Sequence, residues 1–352
     1  MSPTPRANPE LLGHEPAEAA LRRLAEAGRL PHAILLCGPR GIGKATLAFR
    51  LVRYLLAPPE LRTDREGGLA IEPESDVFRR IAAGGHADLL TVEREWDPRQ
   101  RRLRGEILAE DARAVARFLH LTAAEGGWRI VVVDGAEEMN RSAANALLKI
   151  LEEPPQHALL LLVSHNPGRL LPTIRSRCRR FPLAPSALDL AAGLLARQRP
   201  DLEAAECKAL TALTGGSVGR ALDLADGGGL GLYRSVIELV AAAPKTDMAR
   251  LHGFAEQLAR RDAEDAYRAG GELLLQLLAR VAVEGARRAP EGTETVAGEG
   301  EAIRHLGSHA DPARWAALRG QIAESFAQTD ALNLDRKQAV LGAFFAIADL
   351  SR

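Results

Sequence analysis

Across 352 residues, lysine plus arginine balances aspartate plus glutamate at 46 each, and only 4% of residues are aromatic. The length exceeds one ordinary core, so two or three domains are expected. Zero net charge argues against bulk electrostatic capture of DNA, without excluding a local basic surface, and the scarcity of rings weakens any model of single strands stacked on aromatic side chains.

In chain order, residues 1–10 lack the apolar stretch of a signal peptide and read as a flexible tail. Residues 15–27 carry a helical pattern with Leu21 and Leu24 among alanines and charges. The apolar run 32–37 ends in Gly38 and fits a buried strand, a glycine loop follows, and 45–56 repeats apolar residues as a helix would. Residues 57–75, rich in Pro, Glu and Gly, read as irregular, and 88–93 is a candidate strand. The charged stretch 95–106, with Arg99, Arg101, Arg102 and Arg104, reads as an exposed hairpin or loop whose arginines are solvated. A helix over 111–119, a strand over 128–134, a helix over 142–153 stopped by Pro154-Pro155, and strands over 158–164 and 178–183 complete the first part. Apolar strands alternating with helices predict a parallel sheet covered on both faces. From 186 onward no strand is expected: three helices fit 186–226, Gly227-Gly228-Gly229 breaks the chain, and 230–352 reads as helices interrupted by a polar Gly/Glu stretch over 285–300. No run of about 18 apolar residues exists, so no membrane span is expected.

Chemistry concentrates in three places. Gly38-Pro39-Arg40-Gly41-Ile42-Gly43-Lys44-Ala45 follows the phosphate-loop pattern G-x-x-x-x-G-K-[ST] up to its last letter. Glycines let backbone N–H groups close around phosphates and the lysine reaches the terminal ones, but Ala45 lacks the hydroxyl that holds Mg²⁺. Thr46 is no substitute, because one residue along a helix turns a side chain by about 100°. Second, Arg129-Ile130-Val131-Val132-Val133-Asp134 is a largely apolar strand that delivers Asp134 at its end, where it would lie near a metal. Hydrolytic relatives of this arrangement place a glutamate next, and here that position is Gly135; Glu137 and Glu138 read as solvated surface charges. Third, Thr173-Ile174-Arg175-Ser176-Arg177-Cys178 precedes the last strand, where an arginine can leave its own subunit and reach a neighbour's γ-phosphate, a contact that contributes about 10³–10⁵ in rate. The cysteines Cys37, Cys178 and Cys207 form no C-x-x-C pair, which suggests reduced, buried thiols in a cytoplasmic protein.

With these residues in view, the chain resembles the AAA+ clamp-loader subunits of bacterial DNA polymerase III. The resemblance is carried by Leu30-Pro31-His32-Ala33, by Asn145-Ala146-Leu147-Leu148-Lys149-Ile150-Leu151-Glu152-Glu153-Pro154-Pro155, and by Ser176-Arg177-Cys178. It is clear over 11–226 and thinner across the helical remainder. Within that group the chain is similar to the delta-prime branch and departs from the ATP-driven gamma/tau branch at Ala45 and Gly135. It departs again at Gly219, which stands where a nucleotide-sensing arginine belongs, with Arg220 adjacent. No long tail follows, as a tau-like chain would require. Many relatives carry a four-cysteine zinc module after the first helix; residues 57–90 contain no cysteine, so no zinc is expected.

The resemblance implies an α/β plus all-α protein: an AAA+ nucleotide-fold domain with a five-stranded parallel sheet over 11–184, a helical lid over 185–227 and a helical collar domain over 228–352. It implies a clamp-loader subunit that donates Arg177 in trans during DNA replication, without catalysis of its own. A degenerate nucleotide site would be formed by Gly38, Gly41, Gly43, Lys44, Asp134 and Ser164, the last at a sensor position or simply a strand-end hydroxyl. No cofactor would be required, ATP or ADP would bind weakly if at all, and partners would be gamma/tau and delta subunits, with the sliding clamp and primed DNA met through the complex. The alternatives are an active gamma/tau-type ATPase, which needs Lys44 and Asp134 to suffice, and a P-loop small-molecule kinase, which leaves the 145–155 block unexplained. A sequence-specific DNA binder lacks a basic recognition helix.

Overall fold

The computed structural model describes residues 4–62, 68–97, 102–125, 127–260, 262–287 and 294–352. It divides into two compact units, Met1–Leu190 and Ala191–Arg352. The first contains α1 (Glu15–Glu26), β1 (Ala33–Cys37), α2 (Lys44–Leu56), α3 (Asp76–Ala82), β2 (Leu89–Val92), β3 (Trp96–Asp97), β4 (Arg102–Leu103), α4 (Ala109–Leu119), β5 (Arg129–Asp134), α5 (Arg141–Glu152), β6 (Ala158–Ser164), α6 (Pro172–Arg177) and β7 (Arg179–Pro182).

Five strands form one parallel sheet in the order β2-β5-β6-β1-β7. β1 and β6 are buried along their whole length, so their alternate side chains feed two different cores. Ile34, Leu36, Ile130, Val132, Leu159 and Leu161 point into a layer with α1, α2 and α3. Ala33, Leu35, Val131, Val133, Leu160 and Leu162 point the other way, into a layer with α4, α5 and α6. A one-residue slip of any central strand would exchange the two sets, so the register is fixed by both faces at once. Each fully buried leucine or isoleucine contributes about 1.5–3 kcal/mol, which makes the sheet a rigid platform for the loops at its ends.

Two short helices were not expected. Ser75 caps α3 by accepting from the Phe78 amide, and Pro172 opens α6 at its first turn. Residues 57–75 are less irregular than their composition suggests, because a 3₁₀ turn at Pro59–Leu61 is followed by Leu69 and Ile71 buried in the first core. The stretch 95–106 does form a hairpin, β3 against β4. Arg104 pairs with Glu95 at 2.8 Å, while Arg99, Arg101 and the Arg102 side chain lie outside the described residues.

The described part of the segment that reads as a flexible tail, residues 4–10, is docked on α2. Arg53, 1% exposed, donates to the carbonyls of Arg6 (2.9 Å) and Asn8 (2.8 Å), and Arg50 donates to that of Pro9 while pairing with Glu18. Two guanidiniums that helical periodicity would turn to solvent are thus satisfied by the arm.

The second unit is helical: α7 (Leu188–Gln198, which begins at the edge of the first unit), α8 (Ala204–Leu213), α9 (Val218–Asp226), α10 (Gly229–Ala241), α11 (Met248–Leu258), α12 (Glu264–Arg287), α13 (Glu299–Gly307), α14 (Pro312–Leu332) and α15 (Arg336–Leu350). α7–α9 share a small core around Leu195, Cys207, Leu210 and Leu222. α10–α15 share a larger one around Tyr233, Leu277, Leu278, Trp315 and Phe344. Glu299, fully buried, accepts from Tyr233 and Arg280 and, at 2.7 Å, from the Thr295 amide, tying α10, α12 and α13 together. Among the described residues no helix is long and apolar enough to cross a membrane.

Candidate functional site

The parallel sheet collects the sequence-predicted residues at the carboxyl ends of three adjacent strands, where open α/β sheets bind ligands. Cys37 at the end of β1 lies beside Ser164 at the end of β6, and Asp134 at the end of β5 lies beside Val163. The loop 38–43 springs from β1, and the Gly38 amide donates to the Ser164 carbonyl at 3.3 Å. Gly38, Gly41 and Gly43 all have positive φ (151°, 76° and 95°). A Cβ on Gly38 would stand 2.2 Å from the Leu183 carbonyl oxygen, and one on Gly43 would stand 2.8 Å from the Leu11 side chain. Glycine is required at both positions by the backbone path alone.

Lys44 opens α2 and is 2% exposed; its amine donates to the Pro39 carbonyl of its own loop. Burial pulls its pKa down to about 8, against the opposing pull of Asp134 and Glu137. Asp134 is pushed up, by burial first and by the charge of Glu93 next, with Lys44 opposing. Ala45 is half-buried in the first turn of α2, and Thr46 beside it is buried.

The acids after Asp134 are not the solvated charges expected from the sequence. Glu137 Oε1 accepts from the amides of His165 (2.8 Å) and Asn166 (3.1 Å), clamping the turn after β6 to the turn after β5. Burial raises its pKa, but those amide contacts, its own backbone and the Ser164 hydroxyl outweigh burial and hold the carboxyl low. Glu138 pairs with Arg94 at 2.8 Å. Ser164 is fully buried against this clamp. His165 joins the site without having been foreseen: burial first, and the nearby Lys44 charge second, pull its pKa down to about 4, so it is neutral at physiological pH. A cleft of about 940 Å³ opens beside these groups, lined by Arg40, Asp134, Gly135, Glu138 and His165 and by Trp96 and Leu103 of the hairpin.

Gly135 has φ 74°, and a Cβ there would meet Glu138 Oε2 at 2.6 Å. The position that would carry a water-orienting glutamate therefore has a backbone suited to glycine. The residues fit a phosphate group, through the loop amides and Lys44. They do not fit a hydrolysing Mg²⁺ centre, because Ala45 offers no oxygen and Gly135 no carboxylate. Among the described residues no group of three or more His, Cys, Asp or Glu side chains could hold a metal ion. Arg220, in α9 of the second unit, pairs with Glu272 of α12.

Arg177 is not part of this cluster. It ends α6, immediately before β7, whose Arg179 pairs with Ile34 near the start of β1. It therefore stands at the amino edge of the sheet, the edge opposite the phosphate loop. The five residues of β1 separate the two edges by roughly 15 Å at about 3.3 Å per residue. Its guanidinium donates to the Thr173 carbonyl (3.1 Å) and pairs with Glu152 (2.8 Å), and its side chain is 37% exposed. Ser176 bonds the same carbonyl, and Cys178 is buried, its thiol pushed up to about 12 by burial.

Residues 13–187 match the model of a family described as DNA polymerase III, delta subunit. Over 202 residues the chain is 39% identical to DNA polymerase III subunit delta' of Pseudomonas aeruginosa and 35% identical to that of Escherichia coli, covering 57% of this chain and 57% of each relative. Over 188 residues it is 31% identical to Escherichia coli subunit tau, covering 53% of this chain and 26% of that one. The chain thus spans a little over half the length of the delta' relatives it matches.

Proposed function

Over residues 13–187 the chain belongs to the DNA polymerase III delta-subunit family, and from that premise we propose that it works as a delta-prime-like, largely non-hydrolysing subunit of the clamp loader. It presents Arg177 to the ATP site of a neighbouring gamma/tau-type subunit and so helps to load the sliding clamp on primed DNA. In this reading α7–α9 act as the lid and α10–α15 as the collar that assembles with gamma/tau and delta subunits, in the cytoplasm. Its own loop at Gly38, Gly41, Gly43 and Lys44, with Asp134 and Ser164, retains at most weak ATP or ADP binding.

The observation that carries the proposal is the separation of the two sites. Arg177 lies across the sheet from its own phosphate loop and partly exposed, so it is suited to a phosphate on another chain. Ala45 and the glycine backbone at 135 point the same way, since a site without a metal ligand or a water-orienting acid has little need of a finger.

The test is Arg177→Ala in a loader reconstituted with gamma/tau- and delta-type subunits, clamp and primed DNA. ATP turnover at the shared site should fall by about 10³-fold or more, with assembly intact by gel filtration. Unchanged turnover sinks the finger role. Tight, Mg²⁺-dependent ATP binding with steady hydrolysis by the isolated chain would favour the gamma-type motor instead.

A further inference from the structure

The 145–155 block is the most specific stretch of the sequence, yet the side-chain ion pair it makes is not with the phosphate loop cluster described above but with Arg177. Its C-terminal end lies at the amino edge of the sheet, where Glu152 closes α5 and reaches Arg177 at 2.8 Å. We propose that Glu152 is a positioning residue for the arginine finger. It holds one edge of the Arg177 guanidinium while the Thr173 carbonyl holds another, so that the remaining N–H groups are presented to a phosphate in a fixed plane. This rests on the finger reading of Arg177.

Four contacts support the assignment. Guanidinium carries five N–H donors in a rigid fork; Glu152 and Thr173 engage two nitrogens, Nη2 and Nη1, and each of these keeps a second hydrogen for a bidentate phosphate contact. Glu152 is itself well founded, because His32 Nε2 lies 3.2 Å from the Leu151 carbonyl, one of the four orphan acceptors at the end of α5. The helix start is equally fixed, by the Asn140 side chain accepting from the Ala143 amide at 2.9 Å. His32 belongs to the 30–33 motif and Glu152 to the 145–155 motif, so the first stretch braces the second next to the residue that reaches the arginine of the third. Without Glu152, only the Thr173 carbonyl would hold the guanidinium, and the side chain would sample more rotamers and lose part of the orientation that a transferred phosphoryl group requires.

The experiment is a double-mutant cycle in the same reconstituted loader. Glu152→Ala should lower kcat for ATP roughly fivefold, about 1 kcal/mol, with KM for ATP little changed. Glu152→Gln keeps the Oε1 acceptor and should stay within about twofold of the parent. In the Arg177→Ala background Glu152→Ala should change nothing further, because its effect passes through the guanidinium. Full activity of Glu152→Ala with a defective Arg177→Ala overturns the positioning role and leaves the finger standing. Loss of assembly, or an equal loss in the Arg177→Ala background, assigns Glu152 to the scaffold and also overturns it. If Arg177→Ala itself leaves turnover unchanged, the finger reading fails first and this inference with it.

Discussion

Replacing Gly135 with glutamate restores the letter that a hydrolytic site would have, and the structure says that it will not restore the site. The residue sits at φ 74°, where a non-glycine residue costs about 1–2 kcal/mol. Its new Cβ would stand 2.6 Å from Glu138 Oε2 and 3.0 Å from Glu138 Cδ, so Glu138 must move and release Arg94, a half-buried pair contributing up to about 1 kcal/mol. Together these give a destabilisation of about 1–3 kcal/mol, or a melting temperature lower by roughly 2–12 °C for a unit of this size. Differential scanning calorimetry of the full chain reads the shift, and Gly135→Ala isolates the backbone share from the added charge. The double variant Ala45→Thr/Gly135→Glu should remain without steady ATP hydrolysis in a phosphate-release assay. A Gly135→Glu protein as stable as the parent, or a double variant that turns over ATP, would refute the view that the backbone itself excludes a catalytic acid here.

Other outcomes follow from the buried charges. His165 has a folded pKa near 4 against an unfolded value near 6.5, so the unfolded chain binds the proton more readily between those limits. Its contribution to stability is complete above pH 6.5 and is lost as pH falls toward 4, by about 1 kcal/mol once solvent screening is allowed for; His165→Asn should flatten the slope of urea midpoint against pH in that window. In the second unit, Glu299→Ala leaves Arg280 and Tyr233 without their shared acceptor and should cost about 3–5 kcal/mol, seen as a helical unit melting on the order of 10 °C earlier. Glu299→Gln, which keeps an acceptor, should recover much of that loss.

The strand–loop–helix start, the four other sheet strands and the succession of helices after 186 were legible because each rests on local pattern: apolar runs for strands buried on both faces, and 3.6-residue spacing for helices. α3 and α6 were not, since seven and six residues are too few to display a period, although Ser75 and Pro172 supplied start signals. Glu137 looks like a surface charge in the sequence because its partners are backbone amides at 165 and 166, across a strand crossover that local sequence does not reveal. For the same reason His165 carried no signal of its own. The residues of the phosphate loop could be named from spacing alone, but the placement of Arg177 at the opposite edge emerges only when β7 is laid beside β1.

The arm over residues 6–9 meets α2 through three main-chain carbonyls and through the Arg6 guanidinium, which lies 5.7 Å from the centre of the Phe49 ring, while the helix contributes side chains. Such a contact constrains a path and not a composition. Where the arm offers only an oxygen, its letter is free to drift so long as that oxygen stays in place, whereas Arg50 and Arg53 are not. Trimming the arm for expression would leave the buried Arg53 without its two carbonyl acceptors, while Arg50 would keep Glu18.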